Sequence, residues 1–253
     1  MNNATKEINL LGTRLEFKRK QYILEKISLY MSSPDVFLHI TSINPEIMTL
    51  AYHNPKYANV LSESDIHLCD GVGILLGCSI LGFSPQERIS GSDFIDDLLQ
   101  YLHNRSLRVL IIGGKPNLAE KVANCYNDKY PSSKFMGIEA IKDIKHPTKQ
   151  ELEAIFSIVA DYKPQILFAA FGSPHQELWF WDNRDKLKGV VCMGVGGGLD
   201  FLAGAVPRAP LFLRKIGLEW LFRLIVEPWR WKRQIRLIEF MYLVLKQKFG
   251  FLK

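Results

Sequence analysis

Only four cysteines stand in the 253 residues, at positions 69, 78, 125 and 192, each in an apolar context and none in a C-x-x-C pair. This excludes a disulfide scaffold, a zinc ribbon and a dithiol redox site, and predicts reduced, mostly buried thiols. Long apolar runs are missing as well. The richest, 235–245, is 11 residues long and is broken by Arg236 and Glu239, whereas a helix that crosses a bilayer needs about 18 or more apolar residues. The opening residues show no apolar h-region and no small-residue cleavage site, so no signal peptide is expected and the protein is placed in the cytoplasm.

Several catalytic spacings are absent too. No D-x-D pair occurs, and the six histidines (39, 53, 67, 103, 146 and 175) show neither H-x-x-x-H nor H-E-x-x-H spacing, so no metal and no other cofactor is expected. There is no G-x-S-x-G elbow and no G-x-x-x-x-G-K-[ST] loop, which removes serine hydrolases and P-loop ATPases. The stretch Gly194-Val195-Gly196-Gly197-Gly198-Leu199 fails the dinucleotide fingerprint, because Leu stands where its third glycine belongs.

Charge is present but unevenly placed. The chain carries +6, yet residues 208–253 hold eleven Lys/Arg against three Glu, or +8, leaving −2 for the first 207 residues. The same last 46 residues contain nine of the 29 aromatics and three of the five tryptophans. A basic, aromatic, apolar segment of this type suits an anionic membrane interface; a solvated helical hairpin packed on the body is the plainer alternative.

Short apolar runs alternate with helix-length amphipathic segments, the pattern of an α/β protein with a Rossmann-like sheet flanked by helices. Strands are predicted at 36–41, 66–69, 107–112, 134–138, 165–171 and 190–195, and helices at 45–61, 71–81, 92–104, 117–130, 148–162 and 175–187. Asn117 is a candidate cap, and Lys163-Pro164 a helix stop. The body spans 1–204. A C-terminal basic α-helical appendage fills 205–253, helical over 211–248 with a break at Pro228, and with Trp231, Ile235, Ile238, Tyr242 and Leu245 on one stripe.

Open α/β sheets bind ligands at the C-terminal ends of their strands. After the first predicted strand come Thr41, Ser42 and Asn44, able to bond a phosphate or sugar, although Asn44 with Pro45 also reads as a simple helix start. Asp70 and Gly71 follow the second, placing a carboxylate in a glycine turn, as a helix cap or as a general base. Arg88 precedes a helix and suits a phosphate. Gly113 and Gly114 form a diglycine turn, and Ser173, Gln176 and Glu177 lie in a Gly/Pro turn.

With these segments in view the chain resembles the WecG/TagA/CpsF family of bacterial glycosyltransferases. The likeness runs from about 36 to 236 through S-I-N (42–44), D-G-V-G (70–73), E-R-I-S-G (87–91), G-S-P-H-Q-E (172–177), G-V-G-G-G-L-D-F-L-A-G (194–204), R-A-P (208–210) and G-L-E-W-L-F-R-L-I-V-E-P-W-R-W-K-R (217–233). It implies an inverting transfer of N-acetylmannosamine or its uronic acid from a UDP-sugar donor to GlcNAc on undecaprenyl diphosphate, in surface-polymer synthesis. Transfer of another hexose, glucose or mannose, to a different lipid-linked acceptor is the alternative. By position, Asp70 looks like the general base, Ser42 (Thr in the usual family motif) and Asn44 like sugar or acceptor contacts, and Arg88 like a phosphate contact. Gln176 resembles a nucleotide-sugar contact, and Gly196, Gly197, Asp200, Arg208, Arg223, Arg230 and Arg233 complete the expected binding set. The appendage is expected to dock over the pocket and hold the enzyme, as a peripheral protein, on the cytoplasmic face of the plasma membrane. Homo-oligomerisation is left open. A nucleic-acid-binding protein with a basic aromatic tail and a non-catalytic nucleotide-sugar sensor are the readings from other classes, and no nucleic-acid partner is expected because neither the base nor the glycine turns would serve one.

Overall fold

The computed structural model describes residues 7–139, 141–204, 206–215, 217–228 and 231–252. The chain opens with a hairpin, β1 (Ile8–Leu10) and β2 (Thr13–Leu15), and a helix, α1 (Lys20–Tyr30). It continues as β3 (Leu38–Ile43), α2 (Pro45–Tyr52), α3 (Pro55–Ser62), β4 (Ile66–Cys69), α4 (Val72–Ile80), α5 (Gly91–Tyr101), β5 (Arg108–Gly113), α6 (Leu118–Lys129), β6 (Lys134–Ile138), α7 (Lys149–Tyr162), β7 (Ile166–Ala170), α8 (His175–Asp182), β8 (Val191–Gly194) and α9 (Leu199–Leu202). Three further helices follow: α10 (Leu211–Lys215), α11 (Glu219–Val226) and α12 (Trp231–Lys248).

The six long-range strands form one parallel sheet in the order β4-β3-β8-β7-β5-β6. β3 and β4 occupy one side, β5 and β6 the other, and β7 and β8 return to fill the middle. All six strand expectations are met within two residues. For β5, β7 and β8 the reason is burial on both faces, which makes each a nearly continuous apolar run that stands out in sequence.

Four expectations need correction. The helix expected at 175–187 ends as α8 at Asp182, and Arg184–Leu187 form a separate 3-10 turn. The single helix at 45–61 is two helices, because Asn54 caps a new one through Tyr57 N at 3.1 Å with Pro55 in its first turn, repeating the Asn44-Pro45 start. Asn117 does not cap α6 with its side chain; it sits in the left-handed region at φ 60° and its N–H donates to Glu139. The region 211–248 breaks twice, at Gly217 as well as after α11, since Gly217 adopts φ +80° and ends the short α10. Lys163 does stop α7, in the left-handed conformation.

Three core clusters pack on the sheet, one of them formed by Ile155 and Val159 of α7 and Trp179 and Phe180 of α8 against β5, β7 and β8. A second is built by α1, α5 and α6 against β5, β7 and β8. The third, around Ile43, Met48, Ile74 and Cys78, also contains Phe240, Leu243 and Val244 of α12. This close approach depends on small residues of α4. A methyl group placed on Gly77 would lie 2.8 Å from the Phe240 ring, and one on Gly73 would lie 3.0 Å from Leu237. The stripe of α12 legible in the sequence is the other one: Trp231, Ile235, Ile238, Tyr242 and Leu245 are exposed.

Candidate active site

A cavity of about 610 Å³ opens over the C-terminal ends of β3, β4, β7 and β8, with the segment 217–223 and α12 completing its rim. Its size is that of a small-molecule site. Asp70 leaves the end of β4, its N–H bonded to Ile43 O at 2.9 Å. The next residue, Gly71, takes φ +90° and begins α4, so the acid does not cap that helix and its carboxylate is directed elsewhere. Oδ2 accepts from Ser42 Oγ at 3.1 Å, and the carboxylate also accepts from the Gly91 N–H. Burial pushes the carboxyl up to about 6; the two hydrogen bonds and the Arg88 charge oppose that rise, and the charge of Glu219 adds to it. Such a group is ionised at neutral pH and close enough to it to accept a proton.

Ser42 and Asn44 line the cavity from β3 and its following turn. Asn44 serves both readings, since its Oδ1 caps α2 by accepting from Ile47 N at 3.0 Å while the residue faces the cavity. Arg88 also lines it and donates to the carbonyl of Arg214.

Gln176 is the centre of a buried clasp. Its Oε1 accepts from the N–H groups of Gly172 and Gly196, both at 3.1 Å, and its Nε2 donates to Glu177 at 2.7 Å and to Ser173 at 3.4 Å. Every hydrogen-bonding valence of the amide is thereby filled. Gln176 joins the loops after β7 and β8 and shapes the floor. Beneath it Glu177 bonds Ser173 and Tyr57, and burial pushes its carboxyl upward against those bonds.

The remaining expected residues divide by the same geometry. Gly71, Ser173, Gly196, Gly197 and Arg223 line the cavity; Thr41, Gly113, Gly114, Glu177, Asp200 and Arg208 do not. Thr41 alternates with Ser42 along β3 and turns its hydroxyl to Ile66 O inside the sheet. Gly113 and Gly114 are needed for φ near +90° and for close packing on Phe171 and Leu199. Asp200 pairs with Lys115 at 3.1 Å and Arg223 at 3.8 Å, and Arg208 reaches Ser92 and Asp93. Arg223 donates to Gly197 O at 2.9 Å and to Glu227 at 2.7 Å, with its guanidinium 4.1 Å from the Phe201 ring centre. Arg230 and the side chain of Arg233 lie outside the described residues. Ser90, Ser92, Glu219, Trp220, Leu237 and Met241 line the cavity without having been singled out. For Glu219 and Trp220 the G-L-E-W motif was the available signal. α12 announced itself only through its exposed stripe.

Together these features define a class: a Rossmann-like α/β enzyme with a carboxylate-bearing cavity at the C-terminal edge of its sheet. The chain belongs to the WecG/TagA/CpsF family of glycosyltransferases, whose family model matches residues 8–253. Among its relatives, a protein of Bacillus subtilis (strain 168) is 31% identical over 240 residues, covering 94% of this chain and 87% of the relative. One of Bacillus spizizenii (strain ATCC 23059 / NRRL B-14472 / W23) is 34% identical over 210 residues, 83% of this chain and 79% of its own. One of Staphylococcus aureus (strain NCTC 8325 / PS 47) is 27% identical over 248 residues, covering 96% and 94%. All three are named N-acetylglucosaminyldiphosphoundecaprenol N-acetyl-beta-D-mannosaminyltransferase.

Proposed function

We propose that this glycosyltransferase moves N-acetylmannosamine from a UDP-sugar to a hydroxyl of GlcNAc carried on undecaprenyl diphosphate, without a metal. The observation that carries the reading is Asp70, a half-buried carboxylate at the cavity floor held by Ser42 and Gly91 and pushed up to about 6. The acceptor hydroxyl gives its proton to Asp70 as its oxygen bonds to the anomeric carbon. The bond from that carbon to the diphosphate oxygen breaks on the opposite face, so configuration inverts and UDP carries away the electron pair. Arg88, Arg223 and the amides of the glycine loops meet the charge of the leaving diphosphate. The relatives' names support the lipid-linked acceptor.

The same reading puts the enzyme on the cytoplasmic face of the plasma membrane through residues 208–253. No helix among the described residues is long and apolar enough to cross a membrane. The exposed α12 stripe, with Ile225 on α11, offers apolar side chains beside lysines and arginines, the pattern of an interfacial helix. The test is UDP release over a panel of nucleotide sugars with a GlcNAc-diphospholipid acceptor and mass analysis of the product. Addition of one N-acetylhexosamine from UDP-N-acetylmannosamine is expected; turnover only with a different sugar or acceptor would overturn the reading.

A further inference from the structure

Glu219, the first residue of α11, lines the cavity with Asp70 and Ser42, and its charge is felt at Asp70. Its position is tightly constrained. Two residues earlier, Gly217 runs so close to the start of α4 that a Cβ there would lie 2.1 Å from Val72, immediately after the Asp70-Gly71 turn. The Oε1 of Glu219 is buried and finds no hydrogen-bond donor among the described residues. Arg208 Nε stands 3.9 Å away, beyond hydrogen-bond reach, while its Nη2 is given to Ser92 and Asp93. Among the described residues Arg208 Nε is itself left without a hydrogen-bond partner and makes only this long ion pair, Arg214 gives its Nη2 to Asp93, and Arg223 gives Nη2 to Gly197 and Nε to Glu227. A buried carboxylate oxygen without a donor is costly, and the cost is recovered when an occupant supplies one. A phosphate has no donor to give and repels the acid; a sugar hydroxyl or amide N–H fits.

We propose that Glu219 is a sugar-recognition residue, accepting a hydrogen bond from a hydroxyl or acetamido N–H of one of the two sugars that meet at Asp70, and disfavouring a sugar that carries a carboxylate. This rests on the transferase reading above. The experiment compares wild type with Glu219→Gln in steady-state transfer, varying the UDP-sugar and the GlcNAc-diphospholipid separately, with UDP affinity and thermal unfolding measured alongside. KM for one sugar substrate rises by about tenfold, as a charge-assisted hydrogen bond becomes a neutral one to the amide oxygen, while UDP affinity stays within about twofold. Which of the two KM values moves tells donor from acceptor. If donor contacts are the ones made, the preference of wild type for UDP-N-acetylmannosamine over its uronic acid also narrows. Both KM values within about twofold of wild type would overturn the inference. Should Glu219→Gln not fold, Glu219→Asp gives the same readout, because it keeps the charge and withdraws its reach. If wild type transfers no sugar at all, the transferase reading fails instead, and calorimetric binding of the UDP-sugars and of soluble GlcNAc-diphosphate to the two proteins still decides Glu219.

Discussion

The cavity has one wall made by the sheet and another made by the segment 206–228, and different forces hold them. On the sheet side, Asp70, Ser42 and Gln176 are fixed by short hydrogen bonds between loops that grow directly from buried strands, with a hydrophobic core behind them. The other wall has little core of its own. Of its apolar side chains Ala209 is buried, while Phe212, Trp220, Leu221, Ile225 and Val226 are exposed. Ionic pins secure it instead: Arg208 and Arg214 on Asp93, Arg223 between Gly197, Asp200 and Glu227, and the Arg214 carbonyl on Arg88. Beyond it α12 is again apolar, anchored by Phe240, Leu243 and Val244. The proposed base, Asp70, therefore sits on the wall that cannot shift without disturbing the core. Of the two arginines proposed to meet the diphosphate, Arg88 stands on the body and Arg223 on a strap held by ionic attachments.

The severest way to break this contrast is at the base. Asp70→Asn is expected to lower transfer by about a thousandfold or more, in keeping with loss of a general base, while calorimetric UDP binding persists. In the wild type, kcat/KM falls with decreasing pH around an apparent pKa near 6, because Asp70 must be ionised to accept the proton. The stability sign runs the other way. An unfolded aspartate ionises at its ordinary, lower pKa, so the folded state is penalised progressively as pH rises through the window up to about 6, and the penalty is complete above it. Asp70→Asn consequently melts a few degrees higher than wild type at pH 7.5, and a lower melting temperature would contradict the burial that perturbs this group.

Phe240→Ala tests the claim that α12 belongs to the core. Removal of this fully buried ring is expected to destabilise the whole protein by about 3–5 kcal/mol in a denaturant titration. A loss below about 1 kcal/mol would show that α12 is merely laid on the surface. Asp93→Asn probes the strap: it removes the carboxylate shared by Arg208 and Arg214. The expected loss is about tenfold in kcat/KM, the equivalent of one charge-assisted bond, with the melting temperature changed by only a few degrees. At the small end is His53→Ala, which cuts an exposed pair with Glu239 at 2.6 Å joining α2 to α12. An effect of less than about 0.5 kcal/mol is expected there, and a larger one would mean that polar contacts as well as apolar packing fix α12.

The two walls also differ in how far they could be read in advance. The elements behind the sheet wall follow from local signals: apolar runs of strand length, Asn-Pro helix starts, and glycines at turns. Asp70 was legible because an acid placed at the end of a buried strand has few other reasons to be there. The strap was legible as charge and motif only. Which arginine meets which acid depends on elements that lie more than a hundred residues apart in sequence, as Arg208 and Arg214 do from Asp93. The opening hairpin is not legible because two three-residue strands carry too short a pattern, and α1 follows Arg19, which offers no side-chain cap to mark its start.

By itself the amino-acid sequence determined a parallel α/β body, a carboxylate at a strand end and a cationic, aromatic C-terminal region, since all of these depend on composition and on neighbours within one turn or strand. Tertiary structure alone decided that the visible stripe of α12 faces outward while Phe240 and Val244 face the core, that Gln176 fills its valences as a clasp, and that Glu219 lines the same cavity as Asp70 with its Oε1 lacking a hydrogen-bond donor among the described residues. Those outcomes come from contacts between distant segments. Periodicity can define a helix face, but only packing chooses which face is buried.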